Sequence, residues 1–149
     1  MRSLSRFLLI SFFAFACKAA ERESSDSNID AARNFIRAAL DGKFKDARAY
    51  MIQDSVNMNY LEVAERSYQR EDAFTRNGYR GSSINIHEVK EPIPDSIAVV
   101  IFSNSYKNDH DTLKVIRLNG QWLVDLKYLF EHDQDTSFNK IIKNDSLPK

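Results

Sequence analysis

The amino-acid sequence predicts an α+β fold, with N-terminal helices packed on a curved antiparallel sheet of about four strands. Two changes of pattern and one dipeptide carry that prediction. From Ile29 to Leu40 apolar residues recur at helical spacing, and from Ser82 onward the period drops to two. Asn119-Gly120 then separates two alternating runs, the strongest short-range sign of a two-residue hairpin, because both turn positions need positive φ. Helices first and an antiparallel meander afterwards give a helix-on-sheet architecture in which the sheet wraps the helices.

Each element has its own signal. Ser27-Asn28-Ile29-Asp30 offers a capping start, and Ile29, Ala32, Phe35, Ile36, Ala39 and Leu40 form one apolar stripe that Asp41-Gly42 ends. Phe44, Ala47, Tyr50 and Met51 keep the i, i+3, i+4 pattern for about two turns, so a short second helix packs back on the first. Asp54 and Ser55 cap a third helix, whose apolar positions Val56, Tyr60, Val63, Ala64 and Phe74 run toward the breaker Asn77-Gly78. In the first strand, Ile84, Ile86 and Glu88 share one face and Asn85, His87 and Val89 the other. The segment from Glu91 to Ser96, with Pro92 and Pro94, reads as a connection, and Ile97 to Phe102 as a β-branched strand buried on both faces. Lys107 to Asp111 is a polar loop, Thr112 to Leu118 a third strand, and Gln121 to Tyr128 the returning strand, with Trp122, Val124, Leu126 and Tyr128 on one face.

The N-terminus carries an address. Arg2 and Arg6 precede the apolar run Phe7 to Ala16, the layout of a secretory signal peptide. That run is about half the ~20 residues a transmembrane helix needs. Ala14-Phe15-Ala16-Cys17 resembles a lipobox, with Ala14 where an aliphatic residue is usual. That resemblance implies that diacylglycerol, carrying acyl chains such as palmitate, is added to the Cys17 sulfur and the chain is then cut before it. An ordinary signal peptidase would cut the same bond at the small-x-small site and leave a free thiol. Cys17 is the only cysteine, so no intramolecular disulfide can use it. The expected layout is a lipoprotein signal peptide over 1–16, a flexible polar tether over 17–28, one folded domain over 29–130 and a polar tail over 131–149. Cell-envelope localisation follows, and Lys18 in place of an aspartate after the cysteine favours the outer over the inner membrane.

Cleavage removes two basic residues and no acidic one, leaving 19 basic against 21 acidic residues, a net charge of −2. Near-neutral charge provides no electrostatic footprint for nucleic acid. Arg66, Arg70, Arg76 and Arg80 do stand among Tyr68, Phe74 and Tyr79, a mixture that can stack on bases. Glu62 four residues before Arg66, and Asp72 four before Arg76, make a solvated ion-paired helix face the more economical explanation; the alternative is that these residues border the mouth of a ligand pocket and contact an anionic ligand or a protein.

Residues Ile29 to Tyr128 resemble the nuclear transport factor 2-like (cystatin-like) superfamily, and especially its small bacterial lipoproteins. The likeness rests on the opening "AARNFIRAALDGKFKDARAYM", a helix, an Asp-Gly break and a second short helix, and on the closing hairpin "LKVIRLNGQWLVDL". The resemblance implies a cone whose open end can hold a small apolar ligand. Some members of that superfamily are dehydratases or isomerases, whereas many only bind or dimerise, and fold analogy alone does not choose among these.

Catalysis on such a cone needs an acid or base held in an apolar pocket. Asp125, mid-strand with Leu123 and Lys127, and His87 are the candidates for a lyase or isomerase pair. Alternation equally places Asp125 and Lys127 on a solvated strand face. His87, His110 and His132 form no HxH or HxxxH pair, and Asp109-His110-Asp111 suits a hydrophilic loop, so no metal site is expected. The four glycines are dispersed and make no phosphate cradle, so no cofactor is expected. The sequence therefore points to a non-enzymatic envelope lipoprotein that holds a small apolar ligand or packs against an envelope protein. A homodimer, or a structural role in a membrane assembly, would use the sheet.

Overall fold

The computed structural model describes residues 25–132, so the signal peptide, Cys17, most of the tether and nearly all of the C-terminal tail lie outside the described residues. The order is α1 (Asn28–Leu40), α2 (Phe44–Ala47), a 3₁₀ turn (Arg48–Tyr50), α3 (Ser55–Arg70), α4 (Ala73–Gly81), β1 (Ile84–Ile93), β2 (Ile97–Asn104), β3 (Asp111–Leu118), β4 (Gln121–Asp125) and α5 (Leu126–His132). The four strands pair in sequence order, each antiparallel to the next. This is the α+β arrangement that the change of period predicts.

Polar caps set the helix starts. The Ser27 hydroxyl accepts from the backbone N–H of Asp30, the Asp54 carboxylate from that of Asn57, and the Asp72 carboxylate from that of Thr75, each satisfying a donor that the first turn leaves unpaired. The last of these corrects the expected third helix. It does not run from Asp54 to Asn77: the chain turns extended at Glu71, and Asp72 starts α4 as a separate helix that passes through Asn77-Gly78 to Gly81. Asp72 uses its carboxylate chiefly as a cap, with Arg76 adding attraction, and both pull its pKa below the ordinary value. Gly78 lies within α4 rather than ending a helix, and its bare Cα makes room for a neighbour: a Cβ there would stand 2.4 Å from a Tyr106 ring carbon. Phe74, expected in the core, is 78% exposed on the first turn of α4.

Two further departures occur in the strands. β1 carries a bulge between Ile86 and Glu88, and the extra residue, His87, inverts the alternation beyond it. Val89 therefore joins Ile84 and Ile86 against the core, not His87 as the simple period of two predicts. Pro92 and Ile93 belong to β1 rather than to a loop, which an edge strand tolerates, and the chain reverses at Asp95 with φ 55°. At the other edge, β4 stops at Asp125 instead of Tyr128. The Leu126 N–H leaves the ladder and donates to the side-chain carbonyl of Asn57 at 2.6 Å, and Leu126 and Leu129, three apart, bury one face of α5. The β3–β4 hairpin turns at Asn119 (φ 51°) and Gly120 (φ 81°), the two-residue turn expected there.

The core lies between α1, α2 and α3 and the inner face of the sheet. Ala31, Ala32, Phe35 and Ile36 meet Ala98, Val100, Leu113, Val115 and Val124, all buried. The alanines let α1 sit close to the β-branched residues of the central strands, so contact is gained where bulkier side chains would hold the layers apart.

Candidate functional site

One cavity among the described residues has the size and lining of a ligand pocket. It offers about 150 Å³ between α1, α3 and the inner face of β2 and β3, and opens to solvent on one side. Phe35, Ile36, Leu61, Ala64, Phe102 and Leu113 line its depth, Phe44, Tyr68 and Tyr79 its aromatic wall, and Asn104, Glu71, Lys107, Asp109 and Asp111 also face it. An apolar space of that volume has room for a benzene-sized group.

The wall follows from local sequence. Phe44, Tyr68, Tyr79 and Tyr106 form a ladder of rings with successive centroids 5.6, 6.2 and 5.3 Å apart, the first and last contacts edge-to-face. Two glycines make space for it. A Cβ on Gly78 would strike Tyr106, and one on Gly42, already at φ 74°, would come within 2.6 Å of the Tyr68 ring. The Tyr68 hydroxyl donates to the Leu40 carbonyl at 3.3 Å, fixing that ring against the end of α1. Arg37 holds α4 in place by donating to the carbonyls of Ser82 at 2.7 Å and Tyr79 at 3.2 Å, while pairing with Asp41 at 3.0 Å. A cation at the C-terminal end of α4 satisfies carbonyls that the helix itself cannot.

Beside this wall the charge is predominantly negative. Burial pushes the Tyr79 phenol up to about 12, and Glu71 adds to that, with Tyr106, Asp111 and Asp109 contributing less. Tyr79 thus remains a neutral hydroxyl across ordinary pH. The β2–β3 loop that supplies Lys107 and Asp109 is ordered by Asn104, whose side-chain carbonyl accepts from the backbone N–H groups of Tyr106 and Lys107 at 3.1 and 2.9 Å. Lys107 Nζ lies 5.8 Å from the centroid of the Tyr106 ring.

The two residues singled out from sequence as an acid and base pair do not line this cavity. His87 lies on the opposite face of the sheet, where Nε2 is 2.8 Å from the Ser103 hydroxyl and the ring stacks on His110 at 4.1 Å. Asp125 is only 6% exposed and stands across from Lys114, with an N–O separation of 3.8 Å. Strands β2 and β3 intervene between Asp125 and His87, about three strand spacings of ~4.8 Å each. Nor does Asp125 mark a solvated strand face, because the turn into α5 buries it, and Lys127 reaches instead to Asp54 at 3.0 Å. Among the described residues no three His, Cys, Asp or Glu side chains stand close enough to hold a metal ion.

The resemblance implies a ligand-holding cone end, but the sequence does not assign the residues that line it. Tyr68 and Tyr79 of the cavity wall belong to the stretch whose charge pattern predicts a solvated, ion-paired helix face, and the break at Glu71 places them on two separate helices. The pairing of Gly42 and Gly78 with nearby tyrosines was the available signal, but linear spacing does not show which ring meets which glycine. Compared with known proteins, the chain matches no family model, no curated protein and no solved structure.

Proposed function

We propose that this protein is a non-enzymatic binding lipoprotein of the cell envelope, which holds a small apolar group in the cavity between its helices and sheet. The carrying observation is that cavity: an apolar interior of about 150 Å³, walled on one side by aromatic rings and bordered by charges. Ligand pockets combine an apolar lining with a few polar groups that fix orientation, and this one is sized for a ring or short alkyl end rather than a whole large molecule. The nuclear transport factor 2-like resemblance of the sequence, in a superfamily where such a cone end can hold ligand, supports the same reading.

Lipid on Cys17 would hold the domain at a membrane, the outer one favoured by Lys18, and the short polar tether would keep the pocket near that surface. No helix among the described residues is long and apolar enough to cross a membrane. Intact mass of the membrane-extracted protein tests the anchor: a Cys17 bearing acyl chains is expected, and an unmodified N-terminal Cys17 would refute it. For the pocket, benzene or xenon should perturb the NMR signals of Leu61 and Leu113, and Ala64→Phe, which fills the space, should remove that response. An unchanged response in the filled variant would remove the proposal.

A second reading has its own observation. Val99, Ile101, Ile116 and Leu123 lie half-buried on the outer face of the sheet, where an antiparallel sheet usually presents polar side chains to water. Pairing of two copies through that face would cover them. Light scattering of the mature protein distinguishes the cases, since a strictly monomeric species at high concentration rules this reading out.

A further inference from the structure

The charges bordering the pocket specify more than its apolar depth does. Three carboxylates line it, those of Glu71, Asp109 and Asp111, against the single ammonium of Lys107. The ammonium is also already engaged, because Lys107 lies over the face of Tyr106, the ring that packs edge-on against Tyr79. A cation resting on an aromatic face is what this part of the molecule accommodates with its own side chain. Tyr68 and Tyr79 also line the cavity, so aromatic rings stand beside these charges. Independently, Glu71, Asp109 and Asp111 all oppose ionisation of the Tyr79 phenol, so their fields converge on the wall of the pocket.

Resting on the ligand-binding reading above, we infer that the pocket selects organic ammonium ions: an aryl or short alkyl group enters the apolar cavity while the charged nitrogen lies among Glu71, Asp109 and Asp111. A carboxylate head would meet three like charges and a lysine already shared with a ring. An uncharged head would gain only from burial of its tail. Apolar depth supplies affinity through area removed from water, and the carboxylates supply the choice of head group.

Three probes of one shape separate these contributions: 2-phenylethylammonium, 2-phenylethanol and phenylacetate, titrated into the mature protein at about pH 7, with affinity read by calorimetry. The ammonium is expected to bind about tenfold tighter than the alcohol, a difference of about 1.4 kcal/mol, with phenylacetate weakest. Raising salt from about 50 mM to about 500 mM should shrink the ammonium's advantage, because the charges are partly exposed and screened. Glu71→Gln combined with Asp109→Asn should lower the ammonium-to-alcohol affinity ratio about fivefold, whereas Glu62→Gln, exposed on α3 and outside the pocket, should leave it unchanged. Equal affinities for ammonium and alcohol, or a preference for phenylacetate, would overturn the inference while leaving the pocket reading intact. Absence of binding by all three probes, the alcohol included, would overturn both.

Discussion

The two ends of the helix-sheet layer are built by opposite means. At the closed end, Asn57 is fully buried on α3 and satisfied on both sides, accepting from the Leu126 N–H at 2.6 Å and donating to Asp54 at 3.1 Å. Asp54 in turn caps α3 and binds Lys127, and the Ile52 N–H donates to the Val124 carbonyl at 2.9 Å, so the loop before α3 extends the sheet edge. At the open end, contacts are between rings, the groups are partly exposed and the charges are of one predominant sign. One end spends its polar groups on closing the backbone, and the other leaves them facing a pocket. Stability and recognition are thereby separated along one axis of a small domain.

Substitutions at the two ends should therefore report on different quantities. Asn57→Ala strands the buried Leu126 N–H, and an unsatisfied buried donor plus the space left behind should cost about 3 kcal/mol. Denaturant unfolding should show this as a lower midpoint; a loss below about 1 kcal/mol would mean that α5 repairs the junction by another route. Next in size, Gly78→Ala forces Tyr106 away and should cost about 1–2 kcal/mol while reducing probe binding, since the ring ladder is displaced. Unfolding and calorimetry together would sharpen the contrast: loss of stability with unchanged binding would detach Tyr106 from the pocket. Filling the cavity with Ala64→Phe should change stability by about 1 kcal/mol in either direction, according to how well the ring fits, yet abolish binding of 2-phenylethanol. The smallest effect belongs to acid. The backbone N–H of Asn57 and then Lys127 hold Asp54 down at about 2 against an ordinary 3.8. Its contribution is complete above the ordinary value and is lost as pH falls toward 2. Asp54→Asn should flatten the fall in thermal midpoint between about pH 4 and pH 2, whereas an equally steep fall would place the acid sensitivity elsewhere.

Which features were legible from sequence follows the same division. The opening stripe of α1, the Asp54 cap and the Asn119-Gly120 turn are local, and each predicted element stands where its residues put it. The split at Glu71–Asp72 was half visible: apolar periodicity weakens there, but Asp72 reads as an ion-pair partner until its cap to Thr75 is seen. The His87 bulge and the end of β4 were not visible, because each depends on a distant partner, β2 for the bulge and Asn57 for Leu126. The proposed acid and base pair failed for a related reason. A period of two assigns a residue to a face, but neither a bulge upstream nor the number of strands between two residues appears in that period.

What sequence alone determined is the helices-then-strands order and the caps and turns that delimit most of those elements. These depend on backbone preferences and hydrogen bonds over a few residues, which neighbouring side chains settle by themselves. Only the tertiary structure decided that Gly42 and Gly78 admit Tyr68 and Tyr106, that Arg37 ties the end of α4 to α1, and that three carboxylates border an apolar pocket. Close approach and the summing of charge are properties of distance in space, and distance in space arises only when α1, α4 and the β2–β3 loop meet.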